Sequence, residues 1–466
     1  MRIRLFTLFL VLVVYVSVRA QIINVPANYA AIQSAINASS NGDTVLVQPG
    51  TYFENLNFRG KKIVLTSMFY QNRDTAYICS TIINGSTPTH ADTASCVIFN
   101  HGEDSTTILQ GFTLTGGLGT KWLDTHGAGT YREGGGIVSD YASPTIQFNI
   151  IKNNVVMNNT GVSSTGGGGI RCGDGNPIIR NNIITNNQGK YGGGIVFNYC
   201  KGTVNNNVIS YNSGGQSYGG GGIWLTGTDT NTVVNITNNV IAYNHVTGTG
   251  TYGGKGGAIS NLAVKANLHN NIIWANTQTT GGPLATFSGS KIRASYCDIQ
   301  VVYAGNGNLN INPQFSDTLR FLLSSASPCI DKGDSSIVYN DAPSSPAQGL
   351  QRNDMGAYGG PGAFLLPSCG LTTAIHNLAV TQTEFSVSPM PVTDKTQVAF
   401  TSTENELTEI ILFNSNMQAV KLIARERFSE GKHSLMLGTE NLDGGIYFLQ
   451  MSTGNSLSVK KIILIR

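Results

Sequence analysis

Apolar residues recur at two fixed places in each of five successive repeats. The first place is an isoleucine at the end of a glycine run: Ile137, Ile170, Ile195, Ile223 and Ile259. The second is Ile151, Ile184, Ile209, Ile241 and Ile273. Four of the five intervals are 14 residues, and that of the fourth repeat is 18. Three residues further on stands a polar mark: Asn154, Asn187, Asn212, Asn244 and Asn276. From that asparagine to the next opening isoleucine the gaps are 16, 8, 11 and 15. Part of each unit is fixed, and length variation collects at one junction. A stacked array behaves this way when its insertions emerge on one edge, which is often the binding face.

The apolar bursts are short, as in Ile178-Ile179, Ile183-Ile184 and Ile272-Ile273, and are bounded by Asn, Gly, Thr and Ser. None runs the ten or more residues of a helix, so they predict short strands between tight turns. Glycine and asparagine enter the left-handed region cheaply and mark the corners. One such coil cannot bury its own apolar face, whereas stacked coils share a continuous core. Equivalent isoleucines would then stack at a spacing of roughly 4.8 Å, and the corner asparagines would form an amide ladder. The pattern predicts an all-β, right-handed parallel β-helix. A leucine-rich horseshoe lacks its leucine consensus here, and a propeller needs more uniform blades of about 40 residues or more.

On these repeats the chain resembles the pectin-lyase-like superfamily of right-handed β-helix proteins. Its beginning is similar to their N-terminal coil: Ala31-Ile32-Gln33-Ser34-Ala35-Ile36, Asn41-Gly42-Asp43-Thr44-Val45-Leu46-Val47, Pro49-Gly50-Thr51-Tyr52 and Gly60-Lys61-Lys62-Ile63. The first segment reads as a short amphipathic helix capping the open end of the stack. Gln110 to Gly117 resembles the coil before the glycine-rich repeats. Ser327-Pro328-Cys329-Ile330-Asp331-Lys332-Gly333 and Arg352-Asn353-Asp354-Met355-Gly356-Ala357-Tyr358 resemble the closing segment of many secreted bacterial β-helices. That motif commonly ends on an acidic residue, where this chain has Gly359. The resemblance covers roughly residues 22–365. It implies the fold more than an activity, because the fold hosts lyases, hydrolases, epimerases, adhesins and binders.

The expected organisation is a signal peptide (1–20), a β-helix (21–365), a linker (366–380) and a C-terminal domain (381–466). Arg2 and Arg4, the apolar run Leu5–Val16 and the site Val18-Arg19-Ala20 make the secretory signal. No later segment reaches the apolar length of a membrane helix. Residues 21–380 carry 35 charged residues in 360, against 17 in 86 for 381–466. Both parts are near neutral and lack a basic cluster, which argues against nucleic acid or an anionic membrane as partner. The tail reads as a small antiparallel β-sandwich. It resembles the sorting domain of the type IX secretion system of Bacteroidetes through Ser388-Pro389-Met390-Pro391-Val392-Thr393-Asp394, Leu442-Asp443-Gly444-Gly445-Ile446-Tyr447-Phe448-Leu449 and Lys460-Lys461-Ile462-Ile463-Leu464. That motif usually has Asn at the place of Met390. The resemblance implies a secreted or outer-surface protein whose partner is the outer-membrane secretion machinery.

Seven cysteines occur, none in a CxxC pair, so no zinc site is expected. Export permits disulfides, but the favoured reading is small buried cysteines, as for Cys172 and Cys200 in neighbouring coils. No cofactor is expected, and His126, His245 and His269 read as unconnected. Between Gly134 and Thr277 the acids are Asp140, Asp174 and Asp229 alone. That is too few for a calcium cage of six to eight oxygens. Arg132, Glu133, Asp140, Arg171 and Asp174 are the best catalytic candidates, with a surface ion-pair patch as the competing explanation. Tyr191, Tyr218 and Tyr252 each precede a glycine run, and Trp274 and Trp224 follow core isoleucines, so alternation turns the indoles outward. Flat aromatic faces beside bare backbone suit sugar rings. The expected function is therefore a surface glycan binder using Tyr191, Tyr218, Tyr252 and Trp274. The alternatives are a polysaccharide lyase or glycoside hydrolase, or a structural or adhesive protein.

Overall fold

The computed structural model describes residues 20–369 apart from 217, 228–231 and 344–345, and residues 385–466 apart from 403–405, 415–418, 441 and 453–456. The secretory signal, most of the linker and Asp229 therefore lie outside the described residues. The chain divides into two compact units, Met1–Gly370 and Leu371–Arg466.

The first unit is a parallel β-helix. Most coils give one strand to each of three parallel sheets, of ten, nine and eight strands, and four of the repeats add a short strand to a fourth parallel sheet. The opening isoleucines are in register on the eight-stranded sheet, Ile137 to Ile170 to Ile195 to Ile223 to Ile259. The second set is in register on the nine-stranded sheet, Ile151 to Ile184 to Ile209 to Ile241 to Ile273. All ten are fully buried. The amide ladder expected at one corner is present. Asn154 Nδ2 donates to Asn187 Oδ1 at 2.9 Å, and Asn187, Asn212 and Asn244 repeat the bond at 3.0 Å each. A second ladder, five residues before the first and equally periodic, runs Asn149, Asn182, Asn207, Asn239, Asn271 at 3.0–3.2 Å.

The helix Ile32–Ala38 buries Ile32, Ala35 and Ile36 against the first coil. The Glu54 carboxylate accepts the N–H groups of Ile32 and Gln33 at 2.9 Å each, satisfying two donors left open at the helix start.

The paired isoleucines have a reason that alternation alone did not supply. On the nine-stranded sheet Ile150, Ile183, Val208, Val240 and Ile272 point away from the core, yet are at most 1% exposed. The closing segment lies over Ile272 and Val240. A Cβ on Gly356 would stand 2.9 Å from Ile272 Cδ1 and 3.2 Å from Val240 Cγ2. Corner asparagines with positive φ, Asn181, Asn206 and Asn238, hold this strap. Asn206 Nδ2 donates to Gly359 O at 2.8 Å, Asn238 Nδ2 to Asp354 O at 3.1 Å and Asn181 Nδ2 to Gly362 O at 3.1 Å. The missing acid after Tyr358 is explained here. A Cβ on Gly359 would stand 1.8 Å from Asp354 O, so no side chain fits.

The cysteine reading needs one correction. Cys79 and Cys369 form a disulfide that ties the end of the strap to the flank of the β-helix. Sequence separation, 290 residues, hid the pair. The other five cysteines are buried and free.

The second unit is antiparallel. A three-stranded sheet (Phe385–Ser388, Lys395–Ser402, Gly431–Gly438) and a four-stranded sheet (Ala419–Phe428, Glu406–Phe413, Gly445–Ser452, Leu457–Leu464) share one core that includes Phe400, Leu412, Leu449 and Ile462.

Candidate functional site

The outer face of the eight-stranded sheet is covered at the variable edge. The junction before the first repeat folds into a hairpin, Gly119–Asp124 and Gly129–Glu133, in which Trp122 and Tyr131 are cross-strand partners stacked at 5.7 Å. Its end joins the repeat array in parallel, Tyr131 to Ser164 and Glu133 to Gly166. Trp224, second residue of its strand, alternates outward and meets Tyr191 and Tyr218 from the neighbouring junctions. Tyr218 lies 5.4 Å from both Tyr191 and Trp224, and 5.9 Å from Tyr252. Glycine is required beneath them, since a Cβ on Gly166 would stand 2.3 Å from the Tyr191 ring.

Between hairpin and array lies a cavity of about 210 Å³ walled by Trp122, Tyr131, Tyr191, Tyr199, Tyr218 and Trp224. Asp124, Asn198 and Thr226 supply polar atoms. It is smaller than the roughly 300 Å³ at which drug-sized sites begin, so it holds one ring.

Below the cavity floor sits a buried ion pair. Glu133 and Arg171 side chains are both 0% exposed, with Arg171 Nε 3.2 Å from Glu133 Oε2. Glu133 also accepts from Trp122 Nε1 at 2.8 Å, from Asn198 Nδ2 at 3.3 Å and from the Tyr191 hydroxyl. Arg171 Nη1 reaches Asp140 Oδ1 at 2.5 Å, and the Trp122 ring covers the guanidinium at 3.7 Å. Burial pushes Glu133 above the ordinary carboxylate value, while Arg171 and the three donors pull it back. Burial also works against the Arg171 charge, but Glu133 and Asp140 outweigh it and raise its pKa. Burial, then the Glu133 charge, holds the Tyr191 hydroxyl well above its usual pKa, so it remains a donor.

The catalytic candidates thus separate. Glu133, Arg171 and Asp140 come together, but as a network under the site, with two members fully buried. Arg132 alternates to the other face of the hairpin and pairs with Asp92 at 2.7 Å. Asp174 is one residue out of step with Asp140. Asp140 ends its strand opposite Gly173, while Asp174 occupies the corner with φ 50°. There its Oδ1 lies 3.4 Å from His126 Nε2, and His126 Nδ1 lies 3.1 Å from Asp124 Oδ1. Burial raises the Asp174 pKa, and the nearby His126 opposes this. His126 stacks on Tyr199 at 3.7 Å.

The sugar-platform candidates also separate. Tyr191, Tyr218 and Tyr252 belong to one aromatic chain, although Tyr191 is only 3% exposed. Trp274 does not join them. It ends a strand of the nine-stranded sheet, beside Ala242. Trp122, Asp124, His126, Tyr131 and Tyr199 were missed. The signal available was the alternation of Trp122 and Tyr131 about Gly127 and Gly129, a hairpin mark. Among the described residues no group of three or more His, Cys, Asp or Glu is set to hold a metal. Among them, too, no helix is long and apolar enough to cross a membrane.

The destination of the chain rests on its other unit. Residues 386–465 match the family model of the secretion system C-terminal sorting domain. This sorting domain indicates export through the type IX system, with attachment to the outer cell surface or release. It also implies a contact with the secretion machinery. No curated protein matches the chain.

Proposed function

We propose that the β-helix is an exported glycan-binding body that takes one sugar ring of a polysaccharide into the aromatic cleft. The observation that carries this reading is the cavity itself, ring-sized, walled by six aromatic side chains and fed by Asp124 and Thr226. Sugar rings offer apolar faces and a hydroxyl rim, and this lining complements both. The network under Tyr191 and Trp122 fixes the wall before any ligand arrives, which lowers the ordering cost of binding. The resemblance to pectin-lyase-like proteins and the surface address both suit a polysaccharide partner.

Titrating the whole protein with a panel of soluble polysaccharides, followed by calorimetry, tests this. At least one is expected to bind, and to bind less well after Tyr218→Ala. A panel without a binder sinks the proposal. The delivery half is tested separately. A chain ending near residue 380 should fold, cross the inner membrane and stay in the periplasm; the truncated chain at the surface in normal amounts would overturn it.

One observation favours a second reading as polysaccharide lyase or hydrolase. At the rim of the cleft the His126 imidazole stands between two carboxylates, Asp124 and Asp174. Glycoside hydrolysis uses paired carboxylates as acid and base or nucleophile. Product release that disappears in Asp174→Asn and His126→Ala would establish it.

A further inference from the structure

A second cavity lies on another face of the β-helix. Its floor continues a polar column on the outside of the ten-stranded sheet, in the register Thr66, Gln110, Gln147, Arg180, Asn205, Thr237. The lower part of this column is satisfied internally. Gln110 Nε2 donates to Thr66 Oγ1 at 3.4 Å, Gln147 Nε2 to Gln110 Oε1 at 2.7 Å and Arg180 Nε to Gln147 Oε1 at 2.7 Å. Above Arg180, among the described residues, the chain of side-chain bonds stops. Here a cavity of about 330 Å³ opens over Asn205 and Thr237, walled by Tyr339 on one side and by Pro361 and Gly362 of the strap on the other. Its volume falls in the range of roughly 300–1,000 Å³ for ligand sites.

Two features point to an occupant. Asn181 lines the cavity and is 3% exposed; its Nδ2 donates to Gly362 O, while its Oδ1 accepts nothing among the described residues. A buried polar atom without a partner costs free energy, and a ligand donor would remove that cost. The second feature is charge. Arg180 is exposed, and among the described residues no carboxylate lies within ion-pair distance of it or of Arg73. Arg73 lies over the Phe69, Phe148 and Phe364 rings, and burial followed by the Arg180 charge lowers its pKa. Arg180 lines the cavity without a counter-ion among the described residues, and Arg73, which stands outside the lining, adds positive charge nearby, so this rim seeks an anion.

We infer that this cavity binds an anionic sugar, with a carboxylate or sulfate ester on Arg180, a hydroxyl donating to Asn181 Oδ1 and a ring face against Tyr339. The inference does not rest on the aromatic cleft, which lies on another sheet. It makes the β-helix a two-site binder whose second site selects charged units.

The test titrates the full chain with glucuronate, glucose 6-sulfate, glucose and inorganic sulfate. At least one of the two anionic sugars is expected to bind at least about tenfold more tightly than glucose or sulfate alone. Which of the two binds better identifies the anion. Arg180→Ala should remove about tenfold of that affinity. Among the described residues the Arg180 side chain hydrogen-bonds only to Gln147, so an unchanged melting temperature is expected and shows that the variant is folded. Asn181→Gly keeps the positive φ but removes the bond to Gly362 O together with the acceptor, so its expected several-fold loss of binding counts only where the melting temperature is unchanged. Tyr218→Ala should leave this binding unchanged, which separates the site from the cleft. The inference is overturned if neither anionic sugar outbinds glucose and sulfate, if folded Arg180→Ala binds as the wild type does, or if Tyr218→Ala alone abolishes binding.

Discussion

The asparagine ladders and the aromatic cleft are built on the same coils, yet satisfy their polar groups in opposite ways. In the ladder each amide finds its partner in the next repeat, as when Asn187, Asn212 and Asn244 bond at 3.0 Å each. No insertion is needed, and the arrangement recurs wherever the coil recurs. Under the cleft, Glu133 comes from an inserted hairpin and Arg171 from a repeat strand, and their neighbours Tyr191 and Asn198 come from the next coil. That network exists once. The ladder stabilises the scaffold, whereas the single network holds a ligand wall in place.

The comparison breaks most sharply at Glu133. Replacing it with Ala leaves the Arg171 guanidinium buried with only Asp140 as counter-charge. The expected loss is about 3–5 kcal/mol of stability, read as a lower urea midpoint. Glu133→Gln keeps the acceptor for Trp122 and should lose less. A smaller loss is expected within the ladder. Asn212→Ala removes the acceptor of Asn187 and the donor to Ile184 O, so buried groups go unpaired at about 1–3 kcal/mol. If Glu133→Ala were the milder change, the cleft network would be a surface ornament and the contrast would fail.

This difference also sets what could be read from the chain. The ladder at Asn154 and the stacked isoleucines were legible because periodicity carries them. The second ladder at Asn149 was equally periodic but was not singled out. The strap over Ile272 and Val240 was visible only as doubled isoleucines, because its contacts join positions more than 80 residues apart. Glu133 and Arg171 were found as charges in a region of low charge, though not their burial. Asp140 and Asp174 were both candidates, at offsets of three and four residues from Ile137 and Ile170, and that one residue puts Asp140 at a strand end and Asp174 at a corner. Trp274 and Trp224 both follow a core isoleucine, but Ile223 stands behind a glycine run and Ile273 three residues before a ladder asparagine, and these two sets lie on different sheets. Tyr199 was overlooked because a left-handed corner favours Asn or Gly over an aromatic residue.

The strap adds a third kind of polar group and a pH test. Burial raises Asp341 from an ordinary 3.8 to about 7, and Asp354 to about 6. With pKa values raised on folding, the folded state holds more protons than the unfolded one between about pH 4 and 7. This contribution is present in full below the unfolded value and is lost as pH rises through the folded values. Stability should therefore fall from pH 5 to pH 8, and Asp341→Asn should flatten the slope. The Asn212→Ala variant should keep the wild-type slope, because its amide does not titrate.

The smallest expected change is also the one that separates ligand wall from scaffold. Tyr218 is partly exposed and touches Tyr191, Trp224 and Tyr252 through ring edges and faces. It takes no part in the Glu133 hydrogen bonds. Tyr218→Ala should thus shift the melting temperature little, while weakening a cleft ligand by about tenfold, the scale of a well-packed aromatic contact. Trp274→Ala is the matched control, an aromatic deletion on the nine-stranded sheet with the same repeat position relative to its isoleucine. It should leave that binding unaltered. Equal losses from both variants would mean that aromatic content, rather than the cleft geometry, governs binding. Loss of fold in Tyr218→Ala would place the tyrosine with the scaffold, since rings that only pack loops onto the β-helix fail by unfolding.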